Sequence, residues 1–245
     1  MPDENINLSV VLPVRDQARA VRQTLESVHA HLRERPRRDW ETLVVADGSG
    51  GETCREVIDF ARDRPGVLLL RNPGPIGCGY ASRHGVLFAR GERILLIGPD
   101  LQAPIALIDE MERLLERGHD MVVASRRTAQ MRPLPPVQIR RELVSRSVDL
   151  SVQVLAKGRA LRFPILFHLY RRRAALEIFR RQKLDGPSFA VEILYLARRY
   201  RYSVIEIPIP EENRPAPAGD SWSDRAAGLG ELLRIRVNRL RGDYG

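Results

Sequence analysis

The chain has little cysteine, little lysine and few aromatic residues, and it lacks long hydrophobic runs. Its two cysteines, Cys54 and Cys78, are too few for a disulfide framework, so we expect a reducing, cytoplasmic location. No apolar stretch approaches the ~20 residues of a membrane-spanning helix. The acidic start also lacks the basic-then-apolar pattern of a secretion signal. We therefore expect neither a disulfide-stabilised secreted domain nor an integral membrane protein.

The charge balance is strongly basic, and arginine supplies almost all of the positive charge. The chain has 40 Lys and Arg against 31 Asp and Glu, a net charge of +9, and only Lys157 and Lys183 are lysines. Such a composition is typical of GC-rich genomes and also of nucleic-acid-binding proteins. Because only 6% of residues are aromatic and no zinc-finger or RNA-recognition motif is present, we expect no nucleic-acid partner.

The first half of the chain alternates short apolar segments with helical patterns. This alternation predicts a mostly parallel sheet covered by helices on both faces, with ligands bound beyond the carboxyl ends of the strands. The predicted strands are residues 7–13, 42–46, 67–70, 93–97, 121–124, 167–170 and 203–208. The predicted helices of the second half are residues 142–157, 189–200 and 225–241. We predict one α/β domain over residues 1–223 and a basic amphipathic C-terminal helix over residues 224–245.

The loops after the predicted strands carry a series of motifs. In order, these are LSVVLPVRDQ, LVVADGSGGET, GCGYASRHGVLFARG, ILLIGPDLQAP and GHDMVVASRR. The ordered series resembles family-2 glycosyltransferases, in particular the dolichol-phosphate mannose synthase group, over roughly residues 7–210. The resemblance implies a GT-A (Rossmann-like) fold, a UDP- or GDP-linked sugar donor and a phosphorylated acceptor, either a polyprenyl phosphate or a smaller molecule.

The resemblance also implies a set of donor contacts near the carboxyl ends of the strands. The nucleotide-sugar-binding residues implied are Pro13, Arg15, Asp16, Asp47, Gly77, Arg83 and Asp100. Asp47 is expected to contact the nucleobase or the ribose of the nucleotide. Two family carboxylates are missing, because Gln17 and Ala46 stand where acidic residues are usual. His84 and Cys78 are assigned to packing, and a structural role is favoured for Glu192.

The metal site of the family is also altered. Family members hold Mg²⁺ or Mn²⁺ with an Asp-x-Asp motif, in which Asp100 and Gln102 match metal positions, but Gly98 replaces the first aspartate. We expect weakened metal binding, since a hard cation depends on carboxylates and substrate phosphates. Our hypothesis is that protein cations partly replace the metal at the diphosphate, with Arg83, Arg126 and Arg162 as candidates.

The acceptor side retains more of the family pattern. Arg126 follows the fifth strand, and Arg141 and Ser145 are four residues apart, which on a helix places both on one face. Arginine and serine together can hold a phosphate, although a solvated basic face is the alternative. The predicted acceptor-phosphate residues are Arg126, Arg141, Ser145 and Arg162, and the predicted catalytic residues are Asp100 and Arg126.

The function predicted is an inverting transfer of a sugar to a phosphorylated acceptor, which needs no general base because a phosphate is already ionised. The alternative is an inactive or repurposed GT-A domain that acts as a binding protein or in a specialised biosynthetic pathway. The C-terminal helix has two interpretations: it lies on the anionic inner face of a membrane as a peripheral contact, or it packs on the domain or on a second subunit of a homodimer.

Overall fold

The computed structural model describes residues 6–35, 39–101, 103–125, 132–133, 166–209 and 222–244. The strands are β1 (Leu8–Val14), β2 (Trp40–Ala46), β3 (Val67–Arg71), β4 (Arg93–Ile97), β5 (Met121–Ser125), β6 (Arg132–Pro133), β7 (Phe167–Arg171) and β8 (Val204–Pro208). The helices are α1 (Ala18–Arg33), α2 (Gly51–Ala61), α3 (Cys78–Phe88), α4 (Leu107–Glu116), α5 (Arg172–Arg181), α6 (Phe189–Arg199) and α7 (Trp222–Arg241). The helix predicted over residues 142–157 lies outside the described residues.

All described strands belong to one sheet in the order β3-β2-β1-β4-β7-β5-β8-β6. Strands β1 to β4 are parallel neighbours, and β5 pairs in parallel with β8. Strand β7 is antiparallel to both β4 and β5 and separates them. The predicted fold class, a mostly parallel sheet flanked by helices, is confirmed. Hydrophobic periodicity does not reveal that β7 lies between β4 and β5 in the sheet.

The central strands are almost wholly apolar because both faces of the sheet are covered. Along β1, Val10 and Leu12 point into a core with α1, α2 and α4, whereas Val11 points into a second core with α3, α5 and α6. On the second side, a Cβ on Gly85 would lie 2.5 Å from a methyl of Val11, so a glycine lets α3 approach the sheet closely.

Helix α7 adds to this second core. Ile235 and Tyr244, the latter just beyond the helix, are 0% and 1% exposed, so the C-terminal segment packs on the domain along one face. The boundary between residues 223 and 224 stays a prediction, and the helix begins at Trp222. Among the described residues, no helix is both long enough and apolar enough to cross a membrane.

Candidate donor-binding site

Four loops meet where β1 to β4 end, because the carboxyl ends of parallel neighbouring strands share one edge of the sheet. The β1 and β2 loops are joined directly: Asp16 Oδ1 accepts a hydrogen bond from the Gly50 amide (2.7 Å), and the Asp16 amide donates to Ser49 Oγ (3.4 Å). The β4 loop is held by helix α1, since Thr24 Oγ1 donates to the Pro99 carbonyl (2.7 Å). The loops therefore form one connected rim.

Asp47, at the end of β2, organises the turn over residues 72–77. Its Oδ1 accepts hydrogen bonds from Asn72 Nδ2 (2.8 Å) and the Ile76 amide (3.1 Å), and its Oδ2 accepts one from the Gly77 amide (2.8 Å). The side chain is 2% exposed. Both oxygens are thus engaged in shaping the turn, and the predicted contact of Asp47 with the nucleobase or the ribose stays a prediction.

Two further residues extend this network, and the sequence did not single them out as site residues. Asn72 is buried, and its Oδ1 lies 2.8 Å from His84 Nδ1. Because the Asn72 amide nitrogen donates to Asp47, its oxygen faces the histidine, which places the proton of His84 on Nδ1. The signal available in the sequence was an asparagine directly after a strand. His84 therefore supports the turn, in line with the packing role assigned to it.

The other predicted donor contacts lie on the same rim in different settings. Arg15 and Asp16 are exposed, and Pro13 is buried within β1 opposite Val45. Gly77 has φ 146°, a conformation that side chains rarely adopt. As nucleotide-sugar contacts, these residues remain predictions.

Arg83 is directed toward a neighbouring loop. Its guanidinium donates to Asp185 Oδ1 (2.8 Å) and to the Gln182 carbonyl (3.2 Å), and it lies 5.0 Å from the centre of the Tyr80 ring. These contacts join α3 to the loop between α5 and α6. The predicted contact of Arg83 with the diphosphate stays a prediction.

The β4 loop presents one carboxylate. Asp100 is exposed, and a Cβ on Gly98 would lie 3.0 Å from its Oδ1, so the backbone at Gly98 is close to the remaining acid. Among the described residues, no group of three His, Cys, Asp or Glu side chains is placed to hold a metal ion. One carboxylate suits a cation that brings most of its ligands as substrate phosphates and water, and it does not suit an all-protein metal site.

The remaining predicted site residues cannot be placed in this geometry. Gln102 and the acceptor-phosphate residues Arg126, Arg141, Ser145 and Arg162 lie outside the described residues. The predicted phosphate grip therefore stays a prediction from the sequence.

The mostly parallel sheet flanked by helices matches the fold of GT-A glycosyltransferases of known structure. A crystal structure of glucosyl-3-phosphoglycerate synthase from Mycobacterium tuberculosis, in complex with Mn²⁺, UDP and glucosyl-3-phosphoglycerate, has a TM-score of 0.66. It is 14% identical, with 96% of this chain and 80% of that chain covered. Mannosyl-3-phosphoglycerate synthase from Rubrobacter xylanophilus has a TM-score of 0.63 at 18% identity, covering 97% of this chain and 75% of that one. These likenesses establish the fold.

Comparison of the sequence with known families identifies the family of this chain. The family described as "Glycosyl transferase family 2" matches residues 9–179, so this chain belongs to glycosyltransferase family 2. Among curated relatives, a dolichyl-phosphate β-glucosyltransferase of Trichomonas vaginalis is 26% identical over 244 residues, covering 95% of this chain and 73% of the relative. The human dolichyl-phosphate β-glucosyltransferase is also 26% identical, over 253 residues, covering 97% of this chain and 77% of the relative. These relatives do not favour the alternative of an inactive or repurposed domain.

Proposed function

We propose that this chain transfers glucose from UDP-glucose to a polyprenyl phosphate. The observation that carries the proposal is the connected rim at the ends of β1 to β4 in a chain that belongs to family 2. Curated relatives of this chain are named as dolichyl-phosphate β-glucosyltransferases. A solved neighbour with UDP-glucose and Mn²⁺, with a TM-score of 0.62, supports a UDP-linked donor.

The chemistry makes modest demands on the protein. A phosphate oxygen of the acceptor attacks the anomeric carbon from the face opposite to UDP, the new C–O bond forms, and UDP leaves with the electron pair of the broken bond. No proton needs to be removed, because the attacking phosphate is already an anion. The protein must hold donor and acceptor in line and stabilise the charge that develops on the diphosphate.

For the metal, we propose a divalent cation held by the donor diphosphate together with Asp100. Such a cation neutralises charge on the leaving group. With Gly98 in place of a second acid, the protein supplies one carboxylate, so binding of the cation depends on the presence of the nucleotide. The test is transfer activity in EDTA: activity restored by Mn²⁺ or Mg²⁺ supports this proposal, whereas full activity in EDTA supports the arginine hypothesis.

We further propose that α7 contacts the anionic inner surface of a membrane, where a polyprenyl phosphate resides. Leu233, Val237 and Leu240 are 57%, 41% and 80% exposed and lie opposite the buried Ile235. Exposed arginines, among them Arg234, flank the stripe formed by these three apolar side chains. Basic residues beside an exposed apolar stripe are typical of helices that lie on anionic lipid.

Sedimentation with vesicles of phosphatidylglycerol or phosphatidylcholine tests this contact. The double variant Leu233→Glu/Leu240→Glu should lose binding to phosphatidylglycerol vesicles, while Leu87→Glu, at an exposed apolar position on α3, should retain it. A concentration-dependent dimer that is lost in the double variant, with no vesicle binding by the wild type, would support the homodimer instead.

The transfer itself is tested with labelled UDP-glucose, GDP-mannose and UDP-N-acetylglucosamine, each incubated with polyprenyl phosphate. Label from UDP-glucose in the organic phase supports the proposal. If label is transferred from another donor alone, the proposed donor is wrong and that donor replaces it. A lack of both transfer and donor-induced thermal stabilisation would support the inactive alternative.

A further inference from the structure

The loop over residues 182–188, between α5 and α6, is in direct backbone contact with the start of α3. The Asp185 carbonyl accepts hydrogen bonds from the Gly79 amide (2.7 Å) and the Tyr80 amide (3.4 Å). A Cβ on Gly77 would lie 2.2 Å from the Asp185 carbonyl oxygen, and one on Gly79 would lie 2.5 Å from that of Leu184. Because no side chain separates the two backbones, the position of this loop fixes the position of Gly77, and Gly77 binds Asp47.

The same loop is held from its other side by two carboxylates. Glu192 of α6 is 0% exposed and accepts hydrogen bonds from the Lys183 amide (3.0 Å) and the Leu184 amide (2.9 Å). Glu231 of α7 accepts one from the Ser188 amide (3.0 Å). The C-terminal helix therefore contacts the loop directly.

Tyr244, at the end of the chain, completes the arrangement. It is 1% exposed, its hydroxyl donates to Glu192 Oε1, and its carbonyl accepts a hydrogen bond from the Tyr200 hydroxyl. Its ring lies 5.6 Å from that of Tyr195. A cavity of about 580 Å³, lined by Ile76, Asp185, Glu231 and Arg234 among others, lies beside these contacts. Hydrogen bonds of Glu231 and Tyr244 therefore join the C-terminal segment to the loop and to Glu192.

We propose that Tyr244 and Glu231 are positioning residues, which act through Glu192 and the loop over residues 182–188 to hold the donor-side turn over residues 72–77 in its binding conformation. They act through backbone contacts and need not touch the substrate. The activity part of this proposal rests on the proposed function, whereas its structural part does not.

Two small substitutions release the two contacts separately. Tyr244→Phe removes only the hydroxyl that donates to Glu192. Gly186→Ala places a Cβ 1.9 Å from the present position of Glu231 Oε1, so this flexible carboxylate must move away from Ser188. Tyr202→Phe is the matched control, because it removes a tyrosine–glutamate hydrogen bond, to Glu177, in which no residue of the loop takes part.

Cys78 provides a readout that does not depend on activity. It is the first residue of α3 and is exposed at the surface, and desolvation of its thiol by the surrounding atoms, together with the nearby Glu231 carboxylate, raises the pKa of the thiol to about 11. Cys54, the other cysteine, is buried. In Tyr244→Phe and Gly186→Ala, iodoacetamide should label Cys78 at pH 8 about threefold faster, as for a pKa lower by about half a unit. Tyr202→Phe should label at the wild-type rate.

The kinetic readout separates positioning from simple loss of folded enzyme. In both test variants, the KM for the sugar nucleotide should rise about fivefold with kcat within about twofold of wild type, as when binding is weakened without a change in the chemical step. Wild-type labelling rates in both variants, or a fall in kcat at unchanged KM, would overturn the proposal. If the wild type transfers no sugar, the proposed function fails, and the labelling rates still decide whether Tyr244 and Glu231 hold the turn.

Discussion

Replacing Asp47 by asparagine tests whether this buried carboxylate holds the turn over residues 72–77. In the wild type, the carboxylate accepts three hydrogen bonds and donates none. Asparagine can keep its oxygen toward Asn72 and Ile76, but its NH₂ group then faces the Gly77 amide, which is also a donor.

The expected loss of stability follows from this single pair of facing hydrogen-bond donors. A hydrogen bond to a charged group contributes about 1.5–3 kcal/mol, and an unsatisfied buried donor costs about 1–3 kcal/mol, so we expect Asp47→Asn to lower the free energy of unfolding by about 3 kcal/mol. For a chain of this size, this lowers Tm by about 6–12 °C.

Thermal unfolding followed by circular dichroism provides the assay, with Asp59→Asn as the control. Asp59 is half-exposed in an ion pair with Arg62, so its replacement should lower Tm by about 2 °C or less. If the Asp47 variant unfolds at the same temperature as the Asp59 variant, Asp47 does not hold the turn and the account of this rim is wrong.

Three further predictions concern pH and metal. The exposed Cys78 has a thiol whose pKa is raised to about 11 by desolvation and by Glu231. Its rate of reaction with iodoacetamide should therefore climb from pH 7 to pH 10, and a plateau near pH 8.5 would contradict this. Burial raises the pKa of Glu192 above its ordinary value, against the opposing effect of its hydrogen bonds. Urea unfolding between pH 4 and pH 8 gives the difference in unfolding free energy between the wild type and Glu192→Gln. This difference should favour the wild type most at low pH and should fall as the pH rises through the raised pKa. A difference that grows with pH would contradict the raised pKa. Asp100→Asn should raise the Mn²⁺ concentration that gives half-maximal transfer. The increase should exceed ~10-fold, the value typical of losing a residue that only supports a metal ligand. An unchanged Mn²⁺ concentration would show that Asp100 does not bind the metal.

The strands and their loops were predictable because each strand is a short apolar run followed by polar or glycine-rich residues. The predicted segment 93–97 coincides with β4, and most other predicted boundaries lie within about two residues, the usual uncertainty of helix and strand ends. Helix α5 was not predicted, because arginines at both of its ends obscure the buried stripe that includes Ala174 and Ile178. The place of β7 was not predictable either, since periodicity identifies a strand but not its neighbours in the sheet.

The candidate site was predictable only in part, for a similar reason. Asp47 and Gly77 were identified from local motifs, and the structure brings them together. The contacts that hold them come from distant parts of the chain: Asp185 is 106 residues from Gly79, and Glu231 is 43 residues from Ser188. No spacing rule connects positions so far apart, so these contacts become visible only in the folded chain.

The most direct test of the central claim is a binding measurement on the full chain with UDP-glucose and polyprenyl phosphate, followed by extraction of the lipid. We expect UDP-glucose to stabilise the wild type, Asp47→Asn to weaken this effect, and labelled glucose to appear on the lipid phosphate. If UDP-glucose neither stabilises the wild type nor supplies glucose to the lipid, the rim at the ends of β1 to β4 is not the site of a UDP-glucose donor.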